Sequence, residues 1–390
     1  MKTLSLVGLV FLATQADARA RDLGISFEGT PGPLNAITDI PGVEVGQKTL
    51  IEGQSIRSGV TAVFPRGHAD VRPVYGGYFT LNGNGEMTGR AYLEDFGVVQ
   101  GPIGISDTNA IGQVYAGIQQ WSSKKFGTAT WPVVAETWSG YLNDIEGFHV
   151  TADTTSAALD AARAGALEEG NAGGGTGMVC FGFKGGIGTA SRIVTIAGRR
   201  YTVGVLVQCN TGDRKTLRIA GAPVGKEFGS RWIPCFDPKL GKGDGELKPC
   251  EVAQRDAPPD KGSIIIIVGT DAPLMPLQLN RVAKRAAMGL ARLGSYAGNS
   301  SGDLIVSFST VPPEVNHEDQ QAPSPMTPVA NAAINPLFEG VVEATEEAIV
   351  NALVAARTMT GVNGARVYAI PHDELRAILK RYNRLEEPRK

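Results

Sequence analysis

The stretch Gly298-Asn299-Ser300-Ser301-Gly302-Asp303 runs directly into Leu304-Ile305-Val306-Ser307-Phe308-Ser309-Thr310. A small, polar, flexible loop thus feeds an apolar, β-branched run that reads as a buried strand. Just upstream, Pro276 to Leu293 places Leu279, Val282, Ala283, Ala286, Leu290 and Leu293 at helical spacing, with Pro276 suited to a first turn and Gly294 to a stop. A serine hydroxyl in such a loop can attack the carbonyl that precedes it, because Gly and Asn tolerate the backbone that an N-to-O acyl shift requires. Hydrolysis of that ester would leave Ser301 at a new chain start. There its own α-amine, with an unperturbed pKa of about 7.7–8.0, could act as general base where other enzymes use histidine. An ordinary turn is the competing reading of so short a string.

Working outward, further strands are expected at Gly59 to Phe64, Gly77 to Leu81, Met178 to Phe183, Arg192 to Ile196, Tyr201 to Gln208 and Ser263 to Val268. The 50 glycines fall between these runs and imply many tight turns. Helices are expected from Pro336 to about Met359, and at Thr154 to Ala164 and Asp373 to Lys380. Sheets with helices on their outer faces predict a layered α/β sandwich, and the mixed order of elements argues against repeated βαβ units. Lys226 to Lys261, polar and rich in Pro and Gly, reads as a surface insertion between two strands.

Composition narrows the function. The chain is 42% hydrophobic, carries a net charge of −2 and has no long Lys/Arg cluster, so it is globular and nucleic acid is not expected as a partner. Met1-Lys2, the apolar run Leu4 to Ala13 and Ala18-Arg19-Ala20 read as a secretory leader over residues 1–20, which predicts a periplasmic or secreted location. Beyond it no stretch reaches the ~20 apolar residues of a membrane span, so the remaining chain, 21–390, is expected to be one soluble domain. Cys235 and Cys250 bracket the insertion and are expected to form a bridge, whereas Cys180 and Cys209, in apolar surroundings, read as buried small hydrophobes. No His-Glu-x-x-His or Cys-x-x-Cys occurs, and His68, His149, His317 and His372 are scattered, so no metal and no cofactor is expected. The nucleophile elbow Gly-x-Ser-x-Gly is missing, which disfavours a Ser-His-Asp triad. Gly173-Gly174-Gly175-Thr176-Gly177 and Gly185-Gly186-Ile187-Gly188 lack the Lys-Ser/Thr of a phosphate loop and read as tight turns.

The string Gly298 to Thr310 resembles the processing site of the self-cleaving aminopeptidases of the DmpA and BapA type, the L-aminopeptidase/D-amidase-esterases and β-peptidyl aminopeptidases. Asn35 to Val43, Leu81 to Gly89, Glu136-Thr137-Trp138, Phe183 to Arg192, Val207 to Asn210, Thr270 to Leu274 and Glu343 to Ala348 resemble the same family. The resemblance implies an αββα sandwich cut before Ser301 into chains 21–300 and 301–390, acting on short peptides, amides or esters and assembled as an oligomer, often a tetramer. It makes Ser301 the nucleophile, with Ser300 as its one-residue rival, and Asn210 the oxyanion donor. Glu136 is implied to hold the substrate's ammonium. Trp138 stands where the family often has tyrosine, so an indole N–H replaces a phenolic OH. Thr345 and Glu347 are implied to orient the nucleophile's amine, although residues two apart on a helix point to nearly opposite sides. Two other readings stay open: an acyltransferase like the ornithine acetyltransferases, which typically process at threonine, and an exported binding protein without catalysis.

Overall fold

The computed structural model describes residues 18–252, 262–311 and 326–386. The first part of the leader and the last residues of the insertion lie outside them. The chain opens with β1 (Glu44–Glu52), β2 (Ile56–Phe64), β3 (Val74–Gly83), α1 (Arg90–Phe96), β4 (Val98–Val99), β5 (Ile103–Asp107), α2 (Ile111–Phe126), β6 (Val133–Thr137) and α3 (Ala152–Asp160). It continues through β7 (Val179–Cys180), β8 (Phe183–Lys184), β9 (Gly186–Ile196), β10 (Arg199–Asn210), α4 (Val224–Phe228), β11 (Cys235–Phe236) and β12 (Ser263–Thr270). Last come α5 (Pro276–Arg292), β13 (Gly302–Ser309), α6 (Asn335–Ala355), β14 (Met359–Thr360), β15 (Ala365–Val367) and α7 (His372–Arg381).

Two sheets stack face to face. One is six-stranded in the order β4-β3-β13-β12-β10-β9, the other four-stranded in the order β1-β2-β5-β6. Between them lies a dry layer that includes Ile103, Ile105, Leu206, Ile265, Ile267, Leu304, Val306 and Phe308. Helices α5 and α6 cover the outer face of the large sheet, where Val205, Ile266, Ile305, Leu279, Ala286, Val341 and Ala348 share a second core. Helices α2 and α3 cover the small sheet through Val60, Ala62, Val114, Ile118 and Leu159. A strand apolar on both faces has to sit inside such a stack; β12 and β13 are buried at every position. The layers are therefore α, β, β, α, as the sequence leads one to expect.

The strand expected from Met178 to Phe183 is instead a tight reversal. Phe181 and Gly182 take positive φ values of 49° and 68°, so β7 folds back on β8. This fold-back overturns the reading of Cys180 and Cys209 as separate buried residues, because they form a disulfide. Cys235 and Cys250 are bridged as expected. The insertion adds β11 to β15, and its Phe236 and Leu247 pack with Tyr141 and Trp138.

Residues Arg19 to Gly24, near the end of the leader reading, are built into the fold. Arg19 donates to the Asn35 and Thr189 carbonyls at 2.9 and 2.6 Å, and the buried N–H of Ala20 donates to Asn351 Oδ1 at 3.0 Å. Among the described residues no helix is long and apolar enough to cross a membrane.

Candidate active site

The register of the large sheet assembles the site. Gly302 in β13 lies opposite Ser263 in β12, and Ser263 lies opposite Asn210 in β10. On the other side Gly302 faces Gly83 at the end of β3. The loop after β3, Asn84 to Met87, then crosses to the small sheet, where Met87 bridges to Ala135 in β6. Residues from both sheets thus converge on the start of β13.

Ser301 is almost wholly buried, 1% exposed. Its Oγ donates to Asp303 Oδ1 at 2.7 Å and lies 3.2 Å from Thr211 Oγ1. The Ser301 N–H donates to the Gly298 carbonyl at 2.8 Å, and Gly302 N–H donates to Ser263 Oγ at 3.1 Å. Asn82 Nδ2 reaches the carbonyls of Gly298 and Ser301, at 2.7 and 2.6 Å. Asn84 Nδ2 donates at 2.7 Å to the carbonyl of Ser300. Gly302 permits this crowding: a Cβ there would stand 2.5 Å from the Asn84 carbonyl oxygen. The Ser301 hydroxyl is thus held by a buried carboxylate.

Glu136, at the end of β6, is 4% exposed. Its Oε1 accepts the Glu86 N–H at 2.9 Å and its Oε2 accepts the Thr108 hydroxyl. Gly85 alone separates it from the nucleophile strand, for a Cβ on Gly85 would lie 2.9 Å from Glu136 Oε1 and 3.4 Å from Gly302 Cα. Burial pushes the Glu136 carboxyl above the usual range, against the hydrogen bonds of Thr108 and Glu86. A buried carboxylate with this preference gains from a cationic partner.

Asn210 donates from Nδ2 to the Trp138 carbonyl at 2.8 Å, and its Oδ1 accepts the Val179 N–H at 2.7 Å. One Nδ2 hydrogen remains for an oxyanion. Trp138 is half-buried, its ring 5.0 Å from that of Tyr141. Thus Ser301, Glu136, Asn210 and Trp138 belong to one end of the sandwich.

Thr345 and Glu347 do not. Glu347 Oε1 and Oε2 accept from Arg21 at 2.7 and 2.8 Å, and Oε2 also meets Arg192 at 2.8 Å. Arg192 pairs with Val203 and Val203 with Thr270, at the opposite end of the strands from Gly186, Asn210, Ser263 and Gly302. Six residues of strand separate Arg192 from Gly186, about 20 Å at 3.3 Å each. Thr345 donates to its own helix at the Val341 carbonyl, 2.7 Å away, and packs on Gly289 of α5. The two side chains leave opposite sides of α6, one toward β9 and one toward α5, so neither orients the Ser301 amine. Thr211, Asp303, Asn82 and Asn84 are neighbours of Ser301 that the sequence reading assigned no role. Asn84 and Asp303 fall within segments that resemble the family; for Thr211 the only signal is its place next to Asn210.

Among the described residues no cluster of His, Cys, Asp and Glu suits a metal ion.

Residues 35–367 match the profile of peptidase family S58. The chain is 47% identical to the β-peptidyl aminopeptidase BapA of Sphingosinicella microcystinivorans, over 99% of this chain and 98% of that one. It is 45% identical to BapA of Sphingosinicella xenopeptidilytica, over 97% and 95%. Its fold matches the L-aminopeptidase D-Ala-esterase/amidase of Ochrobactrum anthropi, described as a variant of the Ntn hydrolase fold, with a TM-score of 0.83 and 41% identity over 94% of this chain and 99% of that one. A Burkholderia sp. β-aminopeptidase superimposes with a TM-score of 0.81 at 41% identity, over 93% and 99%. With a match of that extent and the serine at the head of β13 in place, the chain belongs to peptidase family S58.

Proposed function

We propose that this enzyme is an exported aminopeptidase that activates itself by cutting before Ser301 and then releases N-terminal residues, β-amino acids among them, from short peptides, amides or esters. The observation that carries the reading is the pairing of a buried Ser301 hydroxyl with a buried carboxylate anchor, Glu136, across Gly85. In the processed form the Ser301 amine takes the proton of its own hydroxyl, and Oγ attacks the substrate carbonyl. The remaining Nδ2 hydrogen of Asn210 stabilises the oxyanion; one such donor is worth about 3–4 kcal/mol. Glu136 pairs with the substrate's terminal ammonium, which confines attack to the first residue. The amine is expelled with the proton held by the Ser301 amine, and water hydrolyses the acyl-enzyme.

Export rests on the leader in the sequence and on the two disulfides, which suit an oxidising compartment. Cleavage after Ala18, following the small-x-small string Ala16-Asp17-Ala18, fits better than cleavage after Ala20, since it keeps the buried contacts of Arg19 and Ala20. An exposed apolar hollow of about 630 Å³, lined by Tyr92, Phe96, Tyr115 and Trp131, supports self-association of the processed units.

Intact-mass analysis and N-terminal sequencing of purified protein, beside a Ser301→Ala variant, test the reading. Two fragments are expected, the smaller beginning at Ser301, with a single inactive chain in the variant. An active uncut chain would overturn it.

A further inference from the structure

Before cutting, Ser301 has no free amine, so the self-cleavage step needs another base, together with an oxyanion donor placed at the Ser300 carbonyl. We propose that Asp303 and Asn84 supply them, forming a catalytic pair that acts on the chain's own Ser300–Ser301 bond. The proposal rests on the reading of Ser301 as an N-terminal nucleophile.

The two contacts that define the pair are already in place. Asp303 Oδ1 accepts from Ser301 Oγ at 2.7 Å, so the hydroxyl proton points at a carboxylate that can take it. Asn84 Nδ2 donates at 2.7 Å to the Ser300 carbonyl oxygen, the atom on which negative charge must develop. Thr211 Oγ1, 3.2 Å from Ser301 Oγ, is a hydroxyl and a far weaker base. Asn210 donates to the Trp138 carbonyl and accepts from the Val179 N–H, and it makes no hydrogen bond to the Ser300 carbonyl. Backbone geometry fixes both partners: Asp303 lies on the buried strand β13, and Asn84 is brought against it because Gly302 has no side chain.

The step balances as follows. Asp303 takes the Oγ proton as the Oγ–C bond forms to the Ser300 carbonyl carbon, and Asn84 holds the oxyanion. The C–N bond between Ser300 and Ser301 breaks while the protonated Asp303 returns the proton to the departing nitrogen, giving an ester and a free amine. Water then adds to the ester, one of its protons leaving with Ser301 Oγ and the other passing to the new Ser301 amine, and Ser300 becomes a carboxylate.

The test follows self-cleavage by intact mass over time in freshly refolded full-length chains. Asn84→Ala and Asp303→Asn are expected to lengthen the half-time about a hundredfold or more, with far-ultraviolet circular dichroism unchanged. Asn84→Asp, which keeps the shape but lacks the donor, should fail equally, while Asn84→Gln should recover part of the rate. Loss of the base should also flatten the acid limb of the cleavage pH profile in Asp303→Asn. Hydroxylamine, which captures an ester, should speed fragment release from wild type and not from either variant. Wild-type cutting rates in folded Asn84→Ala or Asp303→Asn would overturn the proposal. So would variants that fail to fold while Asn84→Asp folds and cuts normally, since the donor is then dispensable. Wild type is scored first: if it does not cut before Ser301, the underlying reading fails, whatever the variants do.

Discussion

Arg21 grips Glu347 with two parallel hydrogen bonds of 2.7 and 2.8 Å, tying the turn Ala20–Leu23 to the buried face of α6. Arg192 meets the same carboxylate at 2.8 Å, and Asn35 Nδ2 donates to it at 2.6 Å. Burial pushes the Glu347 carboxyl up, but the hydrogen bonds and charges of Arg21 and Arg192 outweigh it and hold the group below the usual carboxylate range.

Glu347 is thereby a structural residue, with a pH signature. Its stabilising effect is complete above the unfolded carboxyl pKa and is lost as pH falls through the lowered folded value. Glu347→Ala takes from the buried Arg192 its nearer carboxylate, leaving that of Glu343 at 3.4 Å, and should cost about 3 kcal/mol at neutral pH. The Tm deficit should shrink below about pH 4, and kcat of the processed variant should equal that of wild type. A large fall in kcat at unchanged Tm would return Glu347 to catalysis.

Glu136 makes the opposite prediction. Its carboxyl is raised by burial, so the folded state binds the proton more readily than the unfolded chain, and the stability this contributes at low pH is lost as pH rises through the raised value. Glu136→Gln should therefore leave Tm at pH 8 unchanged or higher, while KM rises about tenfold or more through loss of a charge-assisted contact. Wild-type kcat/KM should fall as acid protonates the anchor. Steady-state kinetics against pH, paired with melting curves, check both halves.

The Cys180–Cys209 bridge holds the floor of the site. The N–H groups on either side of Cys180, from Val179 and Phe181, bond Asn210 Oδ1 and the Thr211 carbonyl, each at 2.7 Å. Replacing both cysteines by alanine should lower kcat about tenfold, as small displacements of catalytic groups do. KM should stay within about twofold, because the Glu136 anchor belongs to the other sheet. The Cys235→Ala/Cys250→Ala pair should lower Tm with little change in kcat.

Lys184 is fully buried with only the Gly175 and Gly185 carbonyls for Nζ, at 3.2 and 2.8 Å, and desolvation lowers its pKa to about 7. Between that value and the unfolded value near 10.5 the unfolded chain binds the extra proton, so stability rises with pH across the window. Lys184→Met should remove the rise. Denaturant unfolding at pH 7, 8 and 9 measures the slope for each.

How much of this the sequence disclosed follows from the physics of each element. The apolar run of β13 and the helical stripe of α5 were legible because burial on a fixed period leaves a strong pattern. The small sheet was read only in part. β5 and β6 are five residues each, and β1 is exposed along much of its length, so its pattern carries no clean alternation. Ser301 and Glu136 were singled out by the loop and the family resemblance, but Asn84 and Thr211 become neighbours of Ser301 only through strand register. The same limit hid the Cys180–Cys209 bridge, which depends on a reversal at Phe181. For Thr345 and Glu347 the helical spacing itself held the warning, and the structure upholds it.

The proposed break before Ser301 would fall at the head of an interior strand. β13 hydrogen-bonds to β12 on one side and β3 on the other, and both neighbours belong to the fragment upstream of the cut. Scission there would separate no folded parts; it would remove a covalent link whose work is finished. A molecule cut there and once melted would have to bring two strangers back together from solution, a step that slows with dilution and that an intact precursor does not face. Folding would in that sense be a single-use event, and the working life of the cut enzyme would be set by how slowly the central strand can be drawn out.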